Sequence, residues 1–163
     1  MNELDGHKHE TASTHHYLMF GVNMILSLIV MYFVMFSMID GWSDFRNNLN
    51  MFYMALTMVA PMGIIMLATM GGMYRNKKLN ATIHVGLVVL FVAAFAGTRT
   101  QALVGDRQFI ASMIPHHSGA ILMCREAVLV DPELTALCSA IASGQRSEID
   151  QMNAISARIG ESE

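Results

Sequence analysis

Residues 17–39, YLMFGVNMILSLIVMYFVMFSMI, form a run of 23 residues without a formally charged side chain. A run of this length can cross a bilayer as a helix. Two further uncharged runs follow at residues 50–74, where Pro61 interrupts the pattern, and at residues 79–98. The first run is too long for the apolar part of a secretion signal and lacks both a basic flank and a small-residue cleavage site. The sequence therefore predicts three retained transmembrane helices within residues 17–98.

The composition of the 163-residue chain supports this prediction. Hydrophobic residues make up 53% and charged residues 14%, whereas soluble domains carry about a quarter charged residues. The formal net charge of −3 gives no reason to expect nucleic-acid binding. Two cysteines are too few for a disulfide framework.

The short loops predict an orientation. The basic run 75–78, RNKK, lies between the second and third spans, whereas the loop at residues 40–49 carries one arginine against two aspartates. The positive-inside rule places the basic run in the cytoplasm. We then expect the N-terminus, the first loop and everything after Thr98 to lie outside, in the periplasm of a bacterial inner membrane.

The polar residues 1–16 are predicted to form a flexible tail. Its histidines are either chance residues or a low-affinity arm that gathers metal on the side of the C-terminal segment. These histidines are His7, His9, His15 and His16.

A soluble helical pattern begins after Gly105. Residues 106–130 are predicted as one helix with Asp106 as its N-cap, and Asp131-Pro132-Glu133 is a strong signal for a new helix that runs to about residue 159. The short connection between the two helices predicts an antiparallel helical hairpin over residues 105–159. One face of its second helix carries Leu134, Cys138, Ile141, Gln145, Glu148 and Met152.

Methionine is the compositional anomaly, with 16 residues. In the second span the steps between methionines are three or four residues, so they form one stripe along the helix. The stripe either packs against another helix or forms a ladder of thioethers for Cu(I). It comprises Met51, Met54, Met58, Met62, Met66, Met70 and Met73.

The first helix of the hairpin contains the segment 109–117, FIASMIPHH, followed by Met123 and Cys124. On a helix, Met113, His116 and His117 share one face, and Met123 lies at its edge. Thioether and imidazole groups together are ligands for a soft or borderline metal, copper above all. The alternative is a histidine pair that is hydrogen-bonded in a helix face or left in solvent. Two adjacent histidines close to several sulfur atoms favour the metal site.

The two cysteines each lie seven residues from Asp131, so a hairpin that closes there places Cys124 and Cys138 opposite each other. In an oxidising compartment they can form a disulfide. Buried thiols are an equally good interpretation, and metal ligation ranks third. Gln145 and Glu148 are candidates for orienting the imidazoles or for an interhelical polar pair.

The hairpin resembles a bacterial family of secreted His-His proteins, the domain of unknown function numbered three hundred and five, in the ferritin-like superfamily. Two motifs carry the resemblance over about residues 105–159: Phe109-Ile-x-x-Met113-Ile-Pro-His116-His117-x-x-Ala120-Ile121-x-Met123 and Gln145-x-x-Glu148-Ile149-x-x-Met152. The resemblance implies a four-helix bundle of two similar helix pairs, and copper binding. It matches Met113, His116, His117 and Met123 to the ligand set, and Gln145, Glu148 and Met152 to the second helix.

This chain departs from the family in having one helix pair where many members have two. A lone hairpin cannot bury both of its faces, so we expect a homodimer or a larger homo-oligomer to complete the bundle. The absence of a Glu-x-x-His pair from the sequence argues against a di-iron carboxylate centre.

The sequence thus predicts an all-α protein with three transmembrane helices and an extramembrane ferritin-like hairpin. We expect a membrane-anchored, periplasm-facing protein that binds copper, preferably Cu(I), for copper tolerance, storage or delivery. No nucleophile–base pair is evident, so we do not predict an enzyme. The alternatives are a non-catalytic interaction module that dimerises through the hairpin, and a Cu(I) transport component that uses the methionine stripes.

Overall fold

The computed structural model describes the backbone of residues 3–160 and the side chains of residues 15–160. Two short 3₁₀ turns, Met35–Met38 and Trp42–Asp44, precede the second helix. The described residues contain no strand, which confirms the all-α class. The helices are α1 (Glu3–Val34), α2 (Leu49–Thr69), α3 (Lys77–Thr100), α4 (Asp106–Glu126) and α5 (Pro132–Gly160).

Three helical stretches are long and apolar enough to cross a membrane, as predicted. They are His15–Met38, Leu49–Thr69 and Lys77–Thr100. The second ends earlier than the predicted residue 74, because residues 70–73 form a turn. Helix α1 is already formed at Glu3, so most of the predicted flexible tail, residues 1–16, is the beginning of this helix. The side chains of His7 and His9 lie outside the described residues.

The chain divides into two compact units. The span unit comprises Met1–Phe33 and Phe52–Ala102, and the hairpin unit comprises Val34–Met51 and Leu103–Glu163. The loop between the first two spans thus belongs to the hairpin unit. We call residues 34–51 the connecting segment.

In the span unit, the beginning of α1 lies against the turn that joins α2 to α3. The hydroxyl of Tyr17 donates a hydrogen bond to Oδ1 of Asn80 at 2.7 Å, and its ring centroid lies 5.3 Å from that of Tyr74. Phe20, Leu67 and Tyr74 form a buried cluster beside these contacts. Residues 17–20, which lie midway along α1, are therefore at the same end of the span unit as the basic run 75–78.

This placement corrects the predicted side of the N-terminus. A helix that crosses the membrane puts its two ends on opposite sides, so three crossings also separate the N-terminus from the hairpin. The prediction put the N-terminal histidines and the basic run 75–78 on opposite sides, whereas Tyr17, next to His16, bonds to Asn80 beside that run.

The methionine stripe of α2 flanks the buried face of this helix and does not form it. The buried residues of α2 are mostly small: Ala55, Val59, Ala60, Gly63 and Leu67. Close packing explains the glycine, because a Cβ at Gly63 would lie 2.8 Å from the terminal methyl of Met24. Met54, Met58 and Met70 remain largely exposed.

In the hairpin unit, the connecting segment covers one face of α4. The backbone N–H of Asp40 donates to Oγ of the fully buried Ser118 at 2.7 Å, and that hydroxyl donates to Oδ2 of Asp44 at 2.6 Å. Gly119 permits the close approach, because a Cβ there would lie 3.3 Å from the carbonyl oxygen of Met38. The segment is thus fixed to the helix by buried hydrogen bonds.

The opposite flank of α4 packs on α5. A core of Ile110, Ile114, Ile121 and Ile149 joins the two helices. Asp131 caps α5 as predicted, since its Oδ1 accepts the Leu134 N–H at 2.8 Å.

The ends of α4 differ from the prediction. The N-cap is Gly105, and Asp106 is the first helical residue. The negative charge of Asp106 interacts favourably with the positive end of the helix dipole. The helix ends at Glu126, four residues before the predicted end at residue 130.

The corrected topology predicts the outcome of labelling with a membrane-impermeant maleimide in sealed vesicles. Single cysteines at Ser13→Cys and Lys77→Cys should react from one side, and one at Val128→Cys from the other. Labelling of positions 13 and 128 from the same side would contradict three crossings. Detergent-opened vesicles provide the control, because all three sites should then react.

Candidate functional site

His117 is held by two hydrogen bonds at the interface of α4 and α5. The residue is 8% exposed. Its Nδ1 lies 2.9 Å from the carbonyl oxygen of Met113, and its Nε2 lies 2.7 Å from Oε2 of Glu148. Both ring nitrogens therefore lie within hydrogen-bond distance of an oxygen atom. The described geometry therefore presents His117 as a group that joins two helices and offers no free nitrogen to a metal.

The contact also bears on the residues of α5 that were predicted to orient the imidazoles. Glu148 makes an interhelical polar pair with His117. Met152 instead packs against the isoleucine core, and Gln145 is half-buried. Of the three, Glu148 alone has a contact with an imidazole among the described residues.

His116 has the opposite environment. Adjacent residues on a helix point about 100° apart, so the inward position of His117 turns His116 outward. His116 is exposed, and its ring centroid lies 6.0 Å from that of His117. Within residues 15–160 no hydrogen bond to its ring is formed. Its imidazole is thus available as a ligand, and the half-buried Met113 lies one turn before it.

His116 belongs to an exposed stripe that repeats every seven residues. Phe109 and Met123, seven residues before and after it, are 52% and 60% exposed. The helical positions place this stripe on the flank of α4 away from the connecting segment. On the same side of the hairpin, α5 exposes Leu134, Leu137 and Ile141. We call this surface the open face: Phe109, Met113, His116, Met123, Leu134, Leu137, Ile141 and Glu148.

The predicted ligand set is too extended to hold one ion within one chain. The rise of an α-helix separates Met113 from Met123 by about 15 Å, and His116 from Met123 by about 10 Å. An axial separation of about 15 Å places these two methionines almost three helical turns apart. Met113 and His116 form the compact part of the set, and Met123 can join them only from a second chain.

Cys124 and Cys138 form a disulfide between α4 and α5, with an S–S distance of 2.07 Å and a Cα–Cα distance of 5.3 Å. The disulfide interpretation is therefore confirmed. The alternatives of buried free thiols and of thiolate ligands are wrong, because each sulfur is bonded to the other. The disulfide fixes the closed end of the hairpin.

A cluster of charges attaches the connecting segment to the hairpin. The carboxylate of Asp40 accepts hydrogen bonds from Arg125 and, at 2.7 Å, from Arg146. A hydrogen bond to Glu126, with the nearby charge of Asp40, raises the pKa of Arg125 above its ordinary value. The sequence interpretation missed this cluster. One signal for it was present in the sequence. Ser118 and Gly119 are poor helix formers in the middle of a predicted helix, and such residues indicate that another segment packs closely there.

No group of three or more His, Cys, Asp or Glu side chains in the described part of the chain is placed to hold a metal ion.

Comparison with known proteins places the chain among proteins without an assigned function. It matches the family model described as a domain of unknown function, DUF305, over residues 66–156. It is 35% identical over 141 residues to "Uncharacterized protein L153" of Acanthamoeba polyphaga mimivirus, an alignment that covers 82% of this chain and 91% of that protein. No solved structure matches. The family match begins well before the predicted residue 105 and includes α3.

The contact between His117 and Glu148 predicts a stability difference between two carboxylate variants. Glu148→Ala removes the partner of a buried imidazole and should lower the free energy of unfolding by about 1 kcal/mol, a modest value because the carboxylate is partly in water. Asp150→Ala, at an exposed carboxylate two residues on, should change it by less than about 0.5 kcal/mol. Chemical unfolding of the detergent-solubilised chain, followed by circular dichroism, measures both. Equal effects would contradict the role of the contact.

Proposed function

The chain belongs to the DUF305 family, and from this premise we propose that it is a membrane-anchored copper-binding protein whose site lies on the open face of the hairpin. The family description names no function, so the proposal rests on the residues of this chain. Its ligands are the Met113 thioether and the His116 imidazole, and its preferred ion is Cu(I). Copper binding is also what the His-His motif implied.

The observation that carries the proposal is the exposed His116 ring beside Met113. An imidazole without a hydrogen-bond partner among the described residues and a thioether one turn away form a soft ligand pair. His117, which is pinned to Glu148 at 2.7 Å, keeps this pair turned outward. His117 thus serves as the positioning residue for the ligand His116.

A second copy of the chain completes the site. The open face exposes several large apolar side chains, with Leu137 54% exposed and Phe109 52% exposed. A seven-residue repeat such as Phe109, His116 and Met123 is typical of a helix–helix interface. Pairing two hairpins through this face makes a four-helix bundle of the ferritin-like type. It brings together two Met113–His116 pairs, so we propose one Cu(I) for two chains.

The disulfide supports a location outside the cytosol, because disulfides persist in oxidising compartments. The positive-inside rule gives the same side for the hairpin, opposite the basic run 75–78. In a bacterium this arrangement corresponds to the inner membrane with the hairpin in the periplasm. Copper tolerance, storage or delivery are the functions that fit such a site.

The same open face favours a second candidate, a metal-free interaction module that dimerises through the hairpin. In that case the exposed leucines supply the interface, and His116 is a polar residue within it. A Cu(I) transport role, with the methionine stripe of α2 as the path, is the third candidate. Copper titration separates the first candidate from the second.

The proposal predicts the Cu(I) affinity of the full-length chain in detergent. Competition with a chromophoric Cu(I) chelator, with ascorbate as the reductant, should show at least tenfold weaker binding at the hairpin for the double variant Met113→Leu/His116→Ala. Leucine keeps the volume and apolar character of methionine, so the change tests ligation.

Met152→Leu is the matched control, because Met152 lies in the same unit and packs in the isoleucine core. It should bind Cu(I) as the parent does. If the double variant also binds like the parent, or if Met152→Leu loses as much affinity, the assignment of the site is wrong.

A further inference from the structure

A cavity of about 390 Å³ lies in the span unit, between the beginning of α1 and the end of α2. From α1 it is lined by His16, Met19, Phe20, Val22, Asn23 and Leu26. From α2 and the turn after it, Met66, Met70, Met73 and Tyr74 complete the lining. We call it the methionine cavity.

The side chains around the methionine cavity form a soft and uncharged ligand set. Four thioethers and one imidazole surround it, and no carboxylate, thiol or amine is part of its lining. Thioethers select Cu(I) over hard cations such as Mg²⁺ or Ca²⁺. A set of neutral ligands also disfavours divalent ions at a membrane boundary, since a higher charge costs more to remove from water.

The sequence spacing of the histidine and the methionines places them around the same cavity. His16 and Met19 are three residues apart on α1, and Met66, Met70 and Met73 are four and three residues apart on the facing segment. These intervals keep each group on one side of its helix. The turn after α2 continues the helical course, because the N–H of Met70 donates to the carbonyl oxygen of Met66 at 3.0 Å.

Apolar packing accounts for Met66, which lies against the buried cluster, but not for the other three methionines of the lining. The buried core at this end consists of Phe20, Leu67 and Tyr74, with Leu67 2% exposed. Met19, Met70 and Met73 are all at least 41% exposed. These three side chains thus border an open cavity and do not fill a core.

Aromatic contacts hold the two sides of the cavity in place. Tyr74 lies between Tyr17 and Phe20, with ring centroids 5.3 and 5.8 Å away. The Tyr17 hydroxyl bonds to Asn80 at 2.7 Å. The residues next to His16 and Met73 are therefore fixed before any ion binds, and such preorganisation lowers the cost of binding.

We propose that the methionine cavity is a second Cu(I) site, at the end of the span unit that carries the basic run 75–78. His16 and Met19 bind the ion from α1, and methionines among Met66, Met70 and Met73 bind it from the α2 side. This site does not depend on the hairpin site, because its lining lies wholly within the span unit and needs no second chain.

The test uses the full-length chain in lipid nanodiscs and Cu(I) in competition with a chromophoric chelator. The background variant is Met113→Leu/His116→Ala, so that binding at the hairpin does not contribute. Adding Met66→Leu/Met70→Leu/Met73→Leu should weaken the remaining Cu(I) binding at least tenfold. The matched control, Met51→Leu/Met54→Leu/Met58→Leu, changes three methionines of the same helix outside the cavity and should leave the binding unchanged.

A single variant, His16→Ala, keeps the proposal testable if the triple variant does not fold, and it should also weaken binding at least tenfold. Parent-like affinity in both the triple variant and His16→Ala would overturn the proposal, as would equal losses in the triple variant and its control. The two proposals can fail independently of each other. If the hairpin does not bind Cu(I), the cavity variants should still show their full loss of Cu(I) affinity in a chain whose hairpin is unmutated.

Discussion

The packing of α4 on α5, through the isoleucine core and the hydrogen bond between His117 and Glu148, sets the rotation of α4 about its own axis. The candidate chemistry of the hairpin depends on that rotation. With His117 turned toward α5, the isoleucines of α4 face the same core, and Ser118 and Gly119 face the connecting segment. His116 is the residue left to point outward, together with Phe109 and Met123. One histidine of the pair therefore organises the helix, and the other is available for binding.

The division of the chain into two compact units is the second constraint. The residues with sulfur and imidazole groups fall into two sets, one in each unit. One set is on the open face around Met113 and His116, and the other surrounds the methionine cavity beside His16. The two copper sites that we propose are therefore separate, and each can be tested without the other.

Much of the fold was predictable because it depends on local signals. Uncharged runs predict spans, and Asp131-Pro132 predicts the beginning of α5, whatever the rest of the chain does. The disulfide was only one of two equal interpretations, because sequence spacing cannot show whether two sulfur atoms meet. The side of the N-terminus was predicted wrongly from loop charges. An odd number of spans puts the N-terminus on the opposite side from the residues that follow the third span.

The site was predictable only as a set of residue types. The pattern grouped Met113, His116 and His117 as one ligand set. The two histidines nevertheless have different environments, because Glu148, 31 residues away from His117, determines which imidazole is occupied. The cluster of Asp40, Asp44 and the two arginines was missed for the same reason. Its members come from distant parts of the chain, and no local pattern relates them.

The central claim is that two chains share one Cu(I) through their open faces. Native mass spectrometry of the detergent-released protein tests it most directly, with the variant Met66→Leu/Met70→Leu/Met73→Leu used to remove binding at the cavity. The account predicts a complex of two chains with one copper ion, which loses the metal on Met113→Leu/His116→Ala. A single chain that retains its own copper ion, or a dimer without copper at saturating Cu(I), would contradict it.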